Sequence, residues 1–292
     1  RNLFLAETST TSGGLDSLSQ PMGPLKKAQE MTAEAYGAKQ TFFVTNGTST
    51  SNKIIHQGLT QPGDIVLIDR ECHKSHHYAL VLSGAVPIYL DSYKLQPYSI
   101  YGAVTIKTII ETLENLKKTG RLSKVKMLVL TNSTFDGIIY NPQMVMEAVL
   151  KIKPDMIFLW VEAWFAFATF SPFMRSRTAM YAAREIEKKR ASAEGSDLEN
   201  TRVRVYATQS THKTLSSFRQ VSVIHVYDED FDLKNANSFH EAYLTHISTS
   251  PNYQILASLD AGRRQAEFEG FELTEKAIEM ALILRYQIFN HP

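Results

Sequence analysis

Lys213 lies five residues after an apolar run, Val203 to Thr208, that has the composition of a β-strand. The intervening residues, Gln209 to His212, are all polar. Lysine forms Schiff bases with aldehydes when its amine is at least partly neutral, and a desolvated site with cationic neighbours favours the neutral form. A lysine at a strand end is more commonly a solvated surface residue, so a chemical role for Lys213 depends on the segments that accompany it.

A glycine and a run of hydroxyl side chains lie between an apolar strand and a helix, in the segment Asn46 to Asn52. Gly47 permits a tight backbone. The hydroxyls of Thr48, Ser49 and Thr50, with the free N–H groups of a helix N-terminus, can hold a phosphate dianion. The same residue types also cap helices when no ligand is present. The segment therefore indicates a phosphate site only in combination with other features.

Three histidines, His73, His76 and His77, follow another apolar run, Ile65 to Asp69. One of them could lie flat against an aromatic cofactor ring, and a hydrophilic loop with no ligand is equally compatible with this composition. A metal site is disfavoured, because the three histidines need a helix to converge and no carboxylate companion is evident.

Three more segments could complete a ligand crevice. Two of them, Thr131 to Gly137 and Val161 to Trp164, follow apolar strands, and the first contains Asp136. The third, His246 to Pro251, offers the clustered hydroxyls of Thr249 and Ser250. Such residues are also common in turns that break helices.

Apolar runs alternate with helical patterns along the chain, which predicts an α/β fold with a mostly parallel central sheet and helices on both faces. The predicted strands are Thr41–Thr45, Ile65–Asp69, Val86–Leu90, Val125–Thr131, Met156–Val161, Val203–Thr208 and Val221–His225. The predicted helices are Pro24–Tyr36, Ser49–Gln57, His76–Ser83, Thr105–Lys118, Pro142–Lys151 and Glu275–Phe289. Ligands of such sheets bind outside the carboxyl ends of the strands, where the polar segments above are placed. The charged stretch Arg184–Arg202 is predicted to be a helix end and a surface loop without chemistry.

Composition and net charge indicate which class of ligand or partner the protein binds. The 292 residues are 43% hydrophobic, and 31 Lys and Arg nearly balance 30 Asp and Glu, so no global charge favours nucleic acid or an anionic membrane. A compact polar small molecule is the expected ligand. One cysteine, Cys72, excludes an internal disulfide, and no apolar run is long enough to span a membrane, so a cytoplasmic location is expected. The start at Arg1 and the end at Pro292 predict a truncated chain.

In order along the chain, GLDSL, TNGTSTSN, DRECHKS, TNSTFDG, EAW, TQSTHKTL and STSP resemble the cofactor domain of bacterial ornithine/lysine/arginine decarboxylases, which are fold-type I pyridoxal-phosphate enzymes. The resemblance covers nearly the whole chain. It implies one major domain over 1–292, with an N-terminal loop and helix at 1–40, the central sheet at 41–230 and the start of a truncated C-terminal segment at 231–292.

The resemblance implies roles for individual residues. Lys213 is expected to hold the cofactor covalently and His73 to stack on its ring. The remaining expected cofactor-binding residues are Thr48, Ser49, Thr50, Asp136, Val161, Trp164, Ser210, His212, Thr249 and Ser250. Of these, Thr249 and Ser250 are expected to reach the crevice of a partner subunit in a homodimer or a multiple of dimers. The implied reaction converts a basic amino acid (arginine, lysine or ornithine) to the amine and CO₂.

The chain departs from the family pattern at Val161, where an Asp that holds a proton on the pyridine nitrogen is expected. Losing one charge-assisted hydrogen bond of about 1.5–3 kcal/mol would slow the reaction roughly 10- to 100-fold. Glu162 is not expected to substitute, since neighbouring residues of a strand face opposite sides. An impaired decarboxylase is therefore weighed against a non-catalytic or regulatory relative, and against a fold-type I enzyme of another reaction type, such as an aminotransferase or aldolase.

Overall fold

The computed structural model describes residues 2–11, 13–192 and 197–291. Their main sheet has seven strands in the order β1-β9-β8-β7-β6-β2-β3, and β4 and β5 form a separate two-stranded ribbon. The strands are β1 Gln40–Val44, β2 Ile65–Asp69, β3 Val86–Leu90, β4 Lys94–Leu95, β5 Ile100–Tyr101, β6 Val125–Thr131, β7 Ile157–Val161, β8 Arg204–Gln209 and β9 Ser222–Asp228.

The helices connect these strands and cover the sheet. They are α1 Asn2–Leu5, α2 Pro24–Tyr36, α3 Gly47–Leu59, α4 Ser75–Ser83, α5 Ile106–Lys118, α6 Pro142–Leu150, α7 Ala179–Ala191, α8 Thr211–Thr214, α9 Ala236–His246 and α10 Tyr253–Phe289. Short 3₁₀ turns lie at Gln96–Tyr98, Leu122–Lys124, Ala166–Phe170 and Arg175–Arg177, and a π-helical turn lies at Phe231–Asn235.

Both faces of the sheet are buried. Along β2, Val66 and Ile68 belong to one apolar cluster with residues of α3 and α9, whereas Ile65 and Leu67 belong to a second cluster with residues of α5, α6 and α7. Successive side chains of a strand point to opposite faces, so this division means that helices pack on each side. The predicted α/β fold with helices on both faces is confirmed.

The central strands are parallel, but the edge formed by β9 and β1 is not. β9 pairs antiparallel with β8, and β1 pairs antiparallel with β9. The predicted bounds of β2, β3 and β6 agree with the structure, and those of the other main-sheet strands differ by one to three residues at one or both ends.

Two helical regions differ from the sequence prediction. The charged stretch at 184–202 begins inside α7, whose Ala179, Ala182 and Ile186 are buried, and Arg190 of this helix pairs with Glu229. Residues 193–196 of that stretch lie outside the described residues. The predicted helix Glu275–Phe289 is the second half of α10, which is 37 residues long. Among the described helices, none combines the length and the apolar character that crossing a bilayer requires.

Candidate active site

A cavity of about 470 Å³ opens at the carboxyl ends of the central strands. The segments that follow β1, β2, β6, β7 and β8 converge there, as expected for ligand sites of α/β sheets. The cavity is lined by Asn46, Gly47, Thr48, Ser49, Asn52, Glu71, His73, Thr131, Phe135, Val161, Ala163, Trp164, Ser210, His212, Lys213, Arg219 and Gln220.

Lys213 enters the cavity from α8, the single helical turn that follows β8. Its Nζ lies 4.2 Å from the centroid of the Trp164 ring. The side chain is half-buried, and this burial lowers the pKa of its amine below the ordinary value for lysine. A lowered pKa increases the share of neutral amine, which is the form that attacks an aldehyde carbon.

The N-terminus of α3 forms another wall of the cavity. Gly47 has a φ of 74°, a left-handed conformation that glycine adopts without strain. Its N–H donates to the carbonyl oxygen of Gln220 at 2.7 Å. The Thr48 hydroxyl lies 2.6 Å from that of Ser210 and 3.0 Å from that of Ser222. The next N–H groups of a helix have no partner within it, so this end of α3 can bind an anion.

His73 lies at the mouth of the cavity, in the loop after β2. Its Nδ1 accepts a hydrogen bond from the backbone N–H of Ser75 at 3.2 Å, so the proton of the neutral ring is on Nε2. Partial desolvation and the charges of Lys213 and Lys74 lower the pKa of this ring. His73 is therefore neutral near pH 7, and a neutral ring can lie against an aromatic group without adding charge.

His212 precedes Lys213 and is held by a hydrogen bond to a backbone carbonyl. Its Nδ1 lies 2.8 Å from the carbonyl oxygen of Val221 and donates to it, which leaves Nε2 free to accept. Desolvation lowers the pKa of this ring despite the bond to Val221. The contact fixes the orientation of the segment that carries Lys213.

Eight of the predicted site residues line this one cavity: Thr48, Ser49, His73, Val161, Trp164, Ser210, His212 and Lys213. Four others do not line it in this chain. Thr50 follows Ser49 in α3, and one residue of helix turns its side chain about 100° away from that of Ser49. The Thr50 hydroxyl instead donates to the carbonyl oxygen of Asn46 at 3.1 Å. Asp136 is exposed in the loop after β6, and Thr249 and Ser250 are exposed between α9 and α10.

The three neighbouring histidines do not converge on one point. His76 is fully buried, with its Nε2 3.1 Å from Asn52 Nδ2 and its Nδ1 3.1 Å from His56 Nε2. His77 instead contacts the Tyr89 hydroxyl at 2.9 Å. Across the described residues, no group of three or more His, Cys, Asp or Glu side chains is arranged to hold a metal ion.

Val161 and Glu162 face opposite sides of the sheet, as predicted. Val161 lines the cavity. The buried carboxylate of Glu162 accepts from the Ala179 N–H at 2.7 Å, from Gln209 Nε2 at 3.1 Å and from Asn132 Nδ2 at 3.3 Å. Burial raises the pKa of Glu162 to about 7, although these hydrogen bonds act to lower it.

The profile of the Orn/Lys/Arg decarboxylase major domain matches residues 1–291. The chain belongs to this family. It is 36% identical to the lysine decarboxylase LdcA of Pseudomonas aeruginosa over 297 residues, covering 99% of this chain and 37% of that protein. It is 29% identical to the ornithine decarboxylase of Haemophilus influenzae over 304 residues, covering 99% of this chain and 40% of that protein.

The crystal structure of the lysine decarboxylase LdcF of Francisella novicida is similar to this decarboxylase domain, with a TM-score of 0.82 and 30% identity. That match covers 99% of this chain and 37% of the Francisella chain. The domain thus spans well under half the length of the family members it matches.

Several residues that line this cavity were not predicted as site residues: Asn52, Glu71, Thr131, Phe135, Ala163, Arg219 and Gln220. Thr131 is the last residue of β6, so its position in a polar segment after an apolar strand was the available signal. Gln220 has a φ of 71° and comes just before β9, where the sequence gives no indication of a left-handed residue.

Proposed function

We propose that this domain binds pyridoxal 5'-phosphate through Lys213 and serves the decarboxylation of a basic amino acid to the amine and CO₂. The observation that carries the proposal is that one cavity holds the Lys213 amine, with a lowered pKa, and the hydroxyl-lined N-terminus of α3. Membership of the Orn/Lys/Arg decarboxylase family supports the reaction type.

The residues present fit most of this cofactor. The α3 N-terminus offers N–H groups and the hydroxyls of Thr48 and Ser49 for the phosphate dianion, and Ser210 lies beside them. Lys213 offers its amine to the aldehyde carbon. The ring nitrogen would be held near Val161, the position that the family resemblance assigns to its partner, and the cavity also presents Thr131, whose buried hydroxyl has no hydrogen-bond partner within the described structure.

The protein residues supply attachment, orientation and partial exclusion of water. Pyridoxal phosphate supplies the electron withdrawal that allows CO₂ to leave the α-carbon of an amino acid. The Trp164 ring shields the Lys213 amine and holds it within the cavity. We propose that His73, neutral and fixed through Ser75, packs against the ring of the cofactor.

The proposal extends to the assembly and location. Thr249 and Ser250 are exposed and lie away from the cavity of their own chain, a placement compatible with a contribution to the cavity of a partner subunit. We therefore propose a homodimer, or a multiple of dimers, that acts in the cytoplasm. Arginine, lysine and ornithine are the substrates to compare, since relatives named for lysine and ornithine decarboxylation both match this chain.

The test is the visible absorption spectrum of the purified protein with added pyridoxal phosphate. We expect a band that is retained in Lys117→Ala, which removes an exposed lysine from α5, and lost in Lys213→Ala. Amine formation and CO₂ release from each of the three amino acids then test the reaction. The absence of a Lys213-dependent band would contradict the proposed function.

A second candidate function is a non-catalytic relative that associates with an active decarboxylase subunit. The observation that favours it is Val161, an apolar residue at the family's carboxylate position. This alternative predicts a stable complex with a related subunit and no turnover by this chain, even when the Lys213-dependent band is present.

A further inference from the structure

We propose that the hydroxyl of Thr131 takes the place of the family's carboxylate as hydrogen-bond partner of the cofactor ring nitrogen, and that this nitrogen stays unprotonated. The inference rests on the proposed function, because it concerns pyridoxal phosphate held by Lys213. It assigns to this chain a binding mode that differs from the family pattern.

Strand register places Thr131 beside Val161. In the parallel pairing of β6 with β7, Thr131 lies opposite Val161, and in the pairing of β7 with β8, Val161 lies opposite Thr208. Opposed residues of neighbouring strands point to the same face of a sheet. The three side chains therefore form a row across the strand ends, with Val161 in the middle.

Only one end of this row has an unused hydroxyl. The Thr208 hydroxyl donates to Asn52 Oδ1 at 3.0 Å. Thr131 lines the cavity, and its buried hydroxyl has no hydrogen-bond partner within the described structure. A buried polar group left unpaired costs about 1–3 kcal/mol, so a ligand atom that pairs with it gains a corresponding advantage.

The ionisable groups that line the cavity offer little negative charge to stabilise a pyridinium cation. They are Glu71, His73, His212, Lys213 and Arg219. Of these five groups, Glu71 alone can carry negative charge, and the other four are either cationic or neutral. The carboxylate among them, Glu71, is exposed on the loop after β2, and Glu162 is held on the opposite face by Ala179, Gln209 and Asn132.

The protonation state of the cofactor ring nitrogen determines which side chain can form a hydrogen bond with it. A pyridinium N–H is a cation that needs an anion when it is buried, and Val161 cannot supply one. A neutral ring nitrogen has a lone pair and only accepts. The Thr131 O–H is a donor of matching polarity. Such a bond leaves the ring a weaker electron acceptor than a pyridinium.

The test uses the full chain loaded with pyridoxal phosphate labelled with ¹⁵N at the ring nitrogen, observed by NMR. We expect the chemical shift of an unprotonated, hydrogen-bonded nitrogen in the unaltered protein and a pyridinium shift in Val161→Asp. Thr131→Val should move the resonance toward a nitrogen without a hydrogen bond and raise the Kd for the cofactor about 2- to 10-fold. Thr131→Ser keeps the hydroxyl and should retain the original shift.

The matched control is Thr208→Val, which makes the same chemical change on the other side of Val161 and should leave the resonance unchanged. A pyridinium shift in the unaltered protein would overturn the inference while leaving the cofactor assignment in place. An unprotonated resonance whose chemical shift is unchanged in Thr131→Val would also overturn it. If no labelled cofactor binds in a Lys213-dependent way, the proposed function fails and the inference fails with it.

Discussion

Val161 and Glu162 are consecutive residues at the end of β7, and they lie in different chemical environments. Val161 faces the cavity that contains Lys213, where an acid would be positioned to interact with a cofactor ring. Glu162 faces the other side of the sheet, where its carboxylate accepts hydrogen bonds from Ala179, Gln209 and Asn132. The chain therefore buries a carboxylate one residue away from the position where the family resemblance predicts one, on the face where it cannot reach the cavity.

Successive side chains of a strand point to opposite faces, so the position of an acidic residue along β7 determines whether it faces the cavity or is buried on the other side of the sheet. Moving Glu162 to the cavity would require a one-residue shift of β7, which would also move its buried apolar side chains to the wrong faces. The side chain at 161 can change without that penalty. Function at this site is therefore expected to change through residue 161, and stability through residue 162.

The largest expected effect is on stability. Glu162→Ala leaves three buried donors without their acceptor, and we expect the free energy of unfolding to fall by about 3–5 kcal/mol. Urea denaturation at pH 5, where Glu162 is protonated in the folded chain and its contribution is close to its maximum, measures it. Glu111→Ala is the control, since Glu111 is exposed and lies 3.8 Å from Lys107, and its loss should cost no more than about 0.5 kcal/mol. Equal effects of the two substitutions would contradict the structural role of Glu162.

The pH dependence of stability follows from the same carboxyl group. The pKa of Glu162 is raised from 4.5 to about 7 in the folded chain. The folded state thus holds a proton that the unfolded state releases, so this contribution to stability is full below pH 4.5 and is lost as the pH rises through 7. Relative to Glu162→Gln, we expect the unaltered protein to lose about 3 kcal/mol across that interval. If the free energies of unfolding of the two proteins, measured in urea, changed in parallel between pH 5 and 8, this expectation would be refuted.

On the cavity side, the expected effect is on catalysis. Val161→Asp introduces a carboxylate that faces the cavity, and under the proposed function we expect kcat/KM for the preferred basic amino acid to rise about 10- to 100-fold. The measurement is amine formation at saturating pyridoxal phosphate. Val161→Asn is similar in size but carries no charge, so it should give little of this gain. An unchanged rate in Val161→Asp would show that residue 161 does not face the ring nitrogen.

The smallest expected effect is that of Glu162→Gln on the cofactor. Asn132, Gln209 and Ala179, which hold Glu162, are not among the cavity-lining residues. We therefore expect the absorption band and the Kd for pyridoxal phosphate to stay within about twofold of the original values. A larger change would mean that the two faces of β7 are coupled.

The main features of the sheet could be predicted from sequence because its central strands are short apolar runs with polar ends. The bounds of β2, β3 and β6 required no knowledge of their neighbours. Helix α9 was not predicted, since its composition is mixed and its buried residues, such as Phe239, are specified by packing on α3. At that contact, a Cβ on Gly58 would lie 2.8 Å from the Phe239 Cα, a close approach that no local pattern reveals.

The convergence of Lys213 and the Thr48 segment on one cavity was predictable, because residue type and chain order carry that information. The site was not predictable where geometry decides. Thr50 shares a hydroxyl run with Ser49, and helical rotation separates them. The importance of Thr131 depends on its register with Val161 and on the lack of a partner for its hydroxyl, which requires the folded sheet.

The pairing of β1 with β9 also bears on how the protein folds during synthesis. β1 and the start of α3 are translated early, yet β1 pairs with β9 and the Gly47 N–H bonds to Gln220, more than half the chain later. Contacts of such high contact order form late, after a long loop has closed. The wall of the cavity formed by the start of α3 is therefore completed only after β9 has been synthesised, so a ligand bound there can stabilise this domain late in folding but cannot guide the first steps.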